Sequence, residues 1–163
     1  MAMKQISVQR LSMISSKSFG DVVARLEAAV GRPDMNVLWR NISAAKTFAD
    51  LEEVIHKVIG PSGFLEFARF DHGMVLGKEY GEQTPKRLRF LIGNPLIMKQ
   101  MVEQVPDAGS YAPVTVLIDE RPDGVHLSYD RMESFLASYG SPKALRVAQD
   151  LDAKVDALLA AVC

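Results

Sequence analysis

Residues 86–101, KRLRFLIGNPLIMKQM, constrain the fold more than any other stretch. Leu88, Phe90 and Ile92 alternate with Arg87, Arg89 and Leu91, the period-two pattern of a strand with one buried face. Gly93-Asn94-Pro95 then ends the strand and starts a helix. Gly93 permits a sharp backbone turn, Asn94 suits an N-cap, and Pro95 suits the first helical position, where its missing N–H costs nothing. Leu96, Ile97, Met101 and Val102 continue as the apolar stripe of that helix.

Other elements follow from the same signals. Residues 5–13 alternate as a first strand, with Ile6 and Val8 on one side. Ser18-Phe19-Gly20-Asp21 opens a helix with the stripe Val22, Val23, Leu26, Ala29 and Val30, stopped by Gly31 and Pro33. The design recurs at Thr47-Phe48-Ala49-Asp50, followed by Leu51, Val54, Ile55, Val58 and Ile59 and closed by Gly60-Pro61. A duplicated unit and convergent capping chemistry both explain the likeness. Residues 35–45 between them are ambiguous, with Trp39 as a core or lid anchor.

Residues 63–72, GFLEFARFDH, read as a second strand with Phe64, Ala68 and Phe70 on one face and Leu65, Phe67 and Arg69 on the other. The glycines and Pro85 after it predict a turn or flexible loop over residues 73–85. A hairpin spans residues 113–130, where Val114, Val116 and Ile118 alternate out, Arg121-Pro122-Asp123-Gly124 turns, and Val125, Leu127 and Tyr129 alternate back. A short helix at 131–138 breaks at Gly140. Ser141-Pro142 then caps a long terminal helix with an apolar seam from Leu145 to Val162. Five short strands with tight joins and segregated helices predict an α+β two-layer sandwich, an antiparallel sheet under a long C-terminal helix.

The 163 residues suit a single domain with a sizeable core. Nineteen basic against twenty acidic side chains argue against a nucleic-acid partner. The polar N-terminus and the lack of a long apolar run argue against secretion and a membrane span, and the one cysteine, Cys163, leaves no internal disulfide. A cytoplasmic protein is the expectation.

The element order, the strand ending in Gly93-Asn94-Pro95, the run PVTVLIDERPDGVHLSYD and the terminal amphipathic helix resemble the bacterial domain of unknown function 302 family. The resemblance covers residues 64 to about 160 and includes the helix opening at Ser18-Phe19. It departs at residues 31–60, which read as a helical insertion. It implies a fold similar to the TATA-binding-protein and helix-grip class, and a homodimer. It supplies no catalytic residue.

Candidate chemistry is sparse. Free N–H groups at the helix start of Asn94, with Lys86, Arg87 and Arg89 close in sequence, suggest an anion site; a plain cap beside solvated arginines is the competing account. His72 with Glu79 or Tyr80 could supply acid and base groups, against a histidine that merely shapes a turn. No metal-ligand spacing or cofactor fingerprint occurs, and Met74, Met98, Met101 and Met132 read as core or pocket lining rather than ligands of copper or haem iron. The leading expectation is a module binding a small molecule or anion; a small enzyme using His72 is the alternative. The expected dimer face is the sheet side opposite the helices, carrying Leu91, Thr115, Leu117, Leu65 and Phe67 between the arginines.

Overall fold

The computed structural model describes residues 3–81 and 83–163. Among them the order is β1 (Arg10–Ser15), α1 (Phe19–Ala29), α2 (Met35–Ala44), α3 (Phe48–His56), β2 (Leu65–Asp71), α4 (His72–Tyr80), β3 (Arg87–Gly93), α5 (Pro95–Val102), β4 (Val114–Arg121), β5 (Gly124–Asp130), α6 (Met132–Leu136) and α7 (Pro142–Val162). The strands form one antiparallel sheet in the order β1-β5-β4-β3-β2. No helix of the described residues is long and apolar enough to cross a membrane.

Alternation decides which side chains meet. Leu88, Phe90 and Ile92 of β3, Val114, Val116 and Ile118 of β4, and Leu127 and Tyr129 of β5 point to the helix layer. There they pack against Val22 and Leu26 of α1, Met101 of α5 and the seam of α7 that includes Ala148, Leu151, Val155 and Leu159. The opposite face carries Arg87, Arg89, Leu91, Thr115 and Leu117, and among the described residues no helix layer covers it. The α+β two-layer sandwich is what the patterning calls for.

The caps follow local chemistry. Ser18 Oγ accepts from Asp21 N (3.1 Å), Thr47 Oγ1 from Asp50 N (3.1 Å) and Ser141 Oγ from Ala144 N (3.3 Å). The reciprocal bond at Thr47 holds the exposed Asp50 carboxyl below its ordinary value. Asn94 does two things: its Oδ1 accepts from Leu96 N (2.8 Å), and its Nδ2 donates to Gly63 O (2.9 Å), tying the start of α5 to the turn before β2. Asn94→Ala is expected to cost about 0.5–2 kcal/mol. Urea unfolding checks this, and an unshifted midpoint would contradict it.

Three expectations need correction and one ambiguity is resolved. The first strand is β1, Arg10–Ser15, and not residues 5–13, because its partner β5 supplies a ladder only from Asp130 back to Val125. Residues 35–45 contain the helix α2, which Asp34 caps by accepting from Asn36 N (2.8 Å) and Val37 N (3.0 Å). Most of the expected loop at 73–85 is the helix α4, capped by Asp71, which accepts from Met74 N (2.7 Å). Its Gly73 answers a packing need rather than flexibility: a Cβ there would stand 2.9 Å from Arg87 N, so only glycine lets α4 lie this close to β3.

The last correction concerns β2. The ladder shifts register between Glu66 and Ala68, which sets Phe67 out as a bulge. Ala68 and Phe70 thereby join the open face opposite Leu91 and Arg89, while Arg69 turns to the helix side. There its guanidinium lies over the Phe90 ring (4.6 Å) and pairs with Glu27 (2.6 Å) and Glu66 (2.9 Å).

A buried carboxylate missed in the sequence holds the helix layer together. Asp152 of α7 is fully buried. Its Oδ1 accepts from the Tyr129 hydroxyl (2.5 Å) and Met132 N (2.8 Å), and its Oδ2 from Glu133 N (3.0 Å). A side chain on α7 thus caps α6, and β5 joins through its tyrosine. Burial and the neighbouring carboxylate push the Tyr129 phenol well above its ordinary value.

Candidate functional site: an apolar cavity at the end of the sheet

Residues 31–60 build one wall of the site. The chain leaves the sheet layer at Gly31, forms α2 and α3, and returns at Gly60. The two glycines cross backbone to backbone: both Gly31 N (2.9 Å) and Gly60 N (2.8 Å) donate to Phe64 O, and Glu66 N donates to Gly31 O (2.8 Å). The helical lobe has its own small core of Leu38, Ile55 and Leu65. It wraps the end of the sheet where β3 passes into α5 and β4 begins.

Between lobe and sheet lies a cavity of about 680 Å³, within the range of small-molecule sites. Trp39, Ile42 and Leu51 come from the lobe, Phe67 from the bulge in β2, Ile97, Met98 and Met101 from α5, Pro113 and Val114 from the start of β4, and Leu151 from α7. The Trp39 and Phe67 rings stand 6.2 Å apart at 32°. Trp39 is 51% exposed, so it acts as a wall of the cavity mouth and not as a core anchor. Met98 and Met101 line the cavity, Met132 is in the core and Met74 is exposed.

Polar groups at the cavity already have partners. Both polar atoms of the Asn94 side chain are engaged, and Lys99 Nζ pairs with Glu103 (2.7 Å) beside the Phe48 ring. The helix start gives an anion no free donor: Pro95 has no N–H, Leu96 N is capped by the side chain, and Ile97 N (3.1 Å) and Met98 N (3.0 Å) bond Asn94 O. The cavity is therefore suited to apolar surface and not to charge.

The structure separates the residues expected to bind an anion together. Lys86 lies on the helix side, pairing with Glu120 (4.0 Å) and facing the Phe19 ring (5.8 Å). Arg87 and Arg89 lie on the open face, and Asn94 is at the far end of the strand. The seven residue steps from Arg87 to Asn94 span about 23 Å of extended chain. The acid–base set is separated too. His72 opens α4 and Tyr80 closes it, so a rise of about 10–12 Å divides His72 from Glu79 and Tyr80, beyond hydrogen-bond reach. His72 instead stacks on Phe70, ring centroids 6.5 Å apart.

Of the expected dimer face, Leu91, Thr115 and Leu117 are in place and Phe70 joins them. Leu65 is buried under the lobe and Phe67 lines the cavity, because the bulge and the wrapping lobe remove both from the open face. Among the described residues, no group of three or more His, Cys, Asp or Glu side chains is placed to hold a metal ion.

The cavity and the topology can be set beside known proteins. No curated protein matches the sequence. A crystal structure of the uncharacterized conserved protein DUF302 from Bacillus stearothermophilus is similar in fold, with a TM-score of 0.66 at 11% identity over 94% of this chain and 98% of that one. At that identity the likeness speaks for the fold alone. The sequence itself matches the family described as Domain of unknown function DUF302 over residues 40–162, a span that starts inside α2 and therefore takes in α3, β2 to β5 and the terminal helix. With three quarters of its length matched, the chain belongs to the DUF302 family.

Proposed function

We propose that this protein binds a small apolar or amphipathic molecule in the cavity at the end of the sheet. The observation that carries this reading is a cavity of about 680 Å³ whose walls are aromatic, aliphatic and thioether groups and whose few polar side chains are already paired. Transfer of apolar surface from water is worth roughly 25 cal/mol per Å², so such a cavity gains affinity from shape and area. Methionine side chains on one wall adapt to several ligand outlines. The enzymatic alternative has less support, since its acid and base groups stand at opposite ends of α4.

The chain's one tryptophan, Trp39, is at the cavity mouth, half exposed, and reports its own occupancy. Titration with 1-octanol is expected to shift Trp39 emission to the blue and to saturate. Gly109→Leu is the matching variant. Gly109 lines the cavity, and a Cβ there meets only Val102 Cγ2, at 3.8 Å, so the position has room for a side chain and a leucine is expected to reach into the cavity. Affinity in that variant is expected to fall about tenfold or more, corresponding to at least 1.4 kcal/mol. An equal shift in both proteins, or none in the native one, would overturn the reading.

A further inference from the structure

The open face of the sheet holds a second, smaller hollow of about 230 Å³, whose polar walls are Arg10, Asp130, His72, Arg87, Arg89 and the Thr115 and Ser128 hydroxyls. It lies at the end of β3 away from the apolar cavity. Its charge is unbalanced in one direction. Arg10 is held by Asp130 through two bonds (2.6 and 2.9 Å), and Asp119, which stands opposite Arg87 in the ladder, is held by Arg121 (2.7 Å). Asp71 is committed to the cap of α4. The acids of this face are therefore taken, and Arg87 and Arg89 have no acidic partner among the described residues.

Two arginines at alternate positions of one strand project from the same face and repel. What they have instead of acids is neutral. Arg89 donates to Thr115 Oγ1 (3.2 Å) and lies 5.8 Å from the Phe70 ring, and that ring stacks with His72. The Thr115 and Ser128 hydroxyls add groups that can donate to an oxygen, and the His72 ring offers a further N–H. Guanidinium forks match the paired oxygens of an oxyanion, and the hollow of about 230 Å³ has room for such a group.

We infer that this hollow is a binding site for a phosphoryl group, held between Arg87 and Arg89 with His72 and the Thr115 and Ser128 hydroxyls around it. The site is independent of the apolar cavity, and either can fail without the other. An anion here lowers the repulsion between the two arginines, neither of which has an ion-pair partner among the described residues.

Calorimetric titration of the whole protein with inorganic phosphate, at constant ionic strength, tests the assignment. The native protein is expected to bind at millimolar concentration or below. Arg87→Gln and Arg89→Gln are each expected to weaken binding about tenfold or more, since each removes a charged, fork-shaped donor. Lys86→Gln removes the adjacent positive charge from the other side of the sheet and should leave binding unchanged. Loss of the same size in Lys86→Gln would show a diffuse charge effect and overturn the site, as would native protein that does not bind. Acetate at matched ionic strength is the comparison, and acetate binding as tight as phosphate would overturn the phosphoryl assignment. Melting without phosphate verifies that each variant is folded.

Discussion

Gly31→Ala is expected to destabilise the protein by about 3 kcal/mol or more, at the upper end for overpacking. A Cβ on Gly31 would stand 1.7 Å from Val58 O and 2.9 Å from Gly60 N. Both obstacles are backbone, so no side chain can swing aside. The two chain segments must part, and with them go the bonds from Gly31 N and Gly60 N to Phe64 O. Because the lobe carries Trp39, Ile42 and Leu51, the damage extends to the cavity: octanol binding should weaken along with stability. Urea unfolding followed by Trp39 emission gives both readings. Gly20→Ala is the control, because a Cβ there meets only Ser18 Oγ at 3.9 Å, and trading glycine for alanine in a helix is expected to gain about 0.5–1 kcal/mol. An unchanged midpoint in Gly31→Ala would mean that the crossing is not close-packed.

Asp152→Ala is the second large effect, a loss of about 3–5 kcal/mol. The substitution leaves the Tyr129 hydroxyl and the Met132 and Glu133 N–H groups without their acceptor, and it takes the nearby charge from Arg131, whose Nε is 3.6 Å from Oδ2. Asp152→Asn should lose less, since its oxygen can keep Tyr129 and Met132 while its amide faces Glu133 N. Burial pushes the Asp152 carboxyl above its ordinary value, against the pull of its hydrogen bonds. A raised folded value means that folding takes up a proton. The Asp152 contribution is therefore fullest below the unfolded carboxyl value and declines as pH rises through the raised one. The stability difference between native protein and Asp152→Asn should narrow over that window. A constant difference, or an alanine variant as stable as native, would contradict the role given to Asp152.

These two residues also mark what the sequence could convey. Where chemistry is local it was legible: Asn94 and Pro95 opened α5, the Pro122-Asp123 turn joined β4 to β5, and Ser141-Pro142 started α7. Asp152 was hidden because its partners lie on other elements, and a carboxylate on an amphipathic helix otherwise reads as a solvent-facing charge. Gly31 and Gly60 read as helix stops, although what requires glycine there is the approach of two strands of chain. In α4 the glycines argued for a loop, and only the contact of Gly73 with β3 shows why a helix tolerates them. The bulge at Phe67 reversed the faces of half a strand, and nothing in the alternation of that strand announces it. A cavity lined by methionine and aromatic groups was legible, but its place in the fold was not. Its walls come from α2, α3, β2, α5, β4 and α7, and no short motif encodes a space between elements.

The central claim is that the end-of-sheet cavity binds apolar surface, and calorimetry with a homologous series of 1-alkanols tests it most directly. Each added methylene buried in the cavity is worth about 0.8 kcal/mol, so affinity should rise roughly fourfold per carbon until the cavity is filled and then level off. The heat-capacity change should be negative, the mark of apolar burial. In Gly109→Leu the series should level off at a shorter chain. Affinity that does not depend on chain length, or a series identical in native protein and Gly109→Leu, would contradict the account.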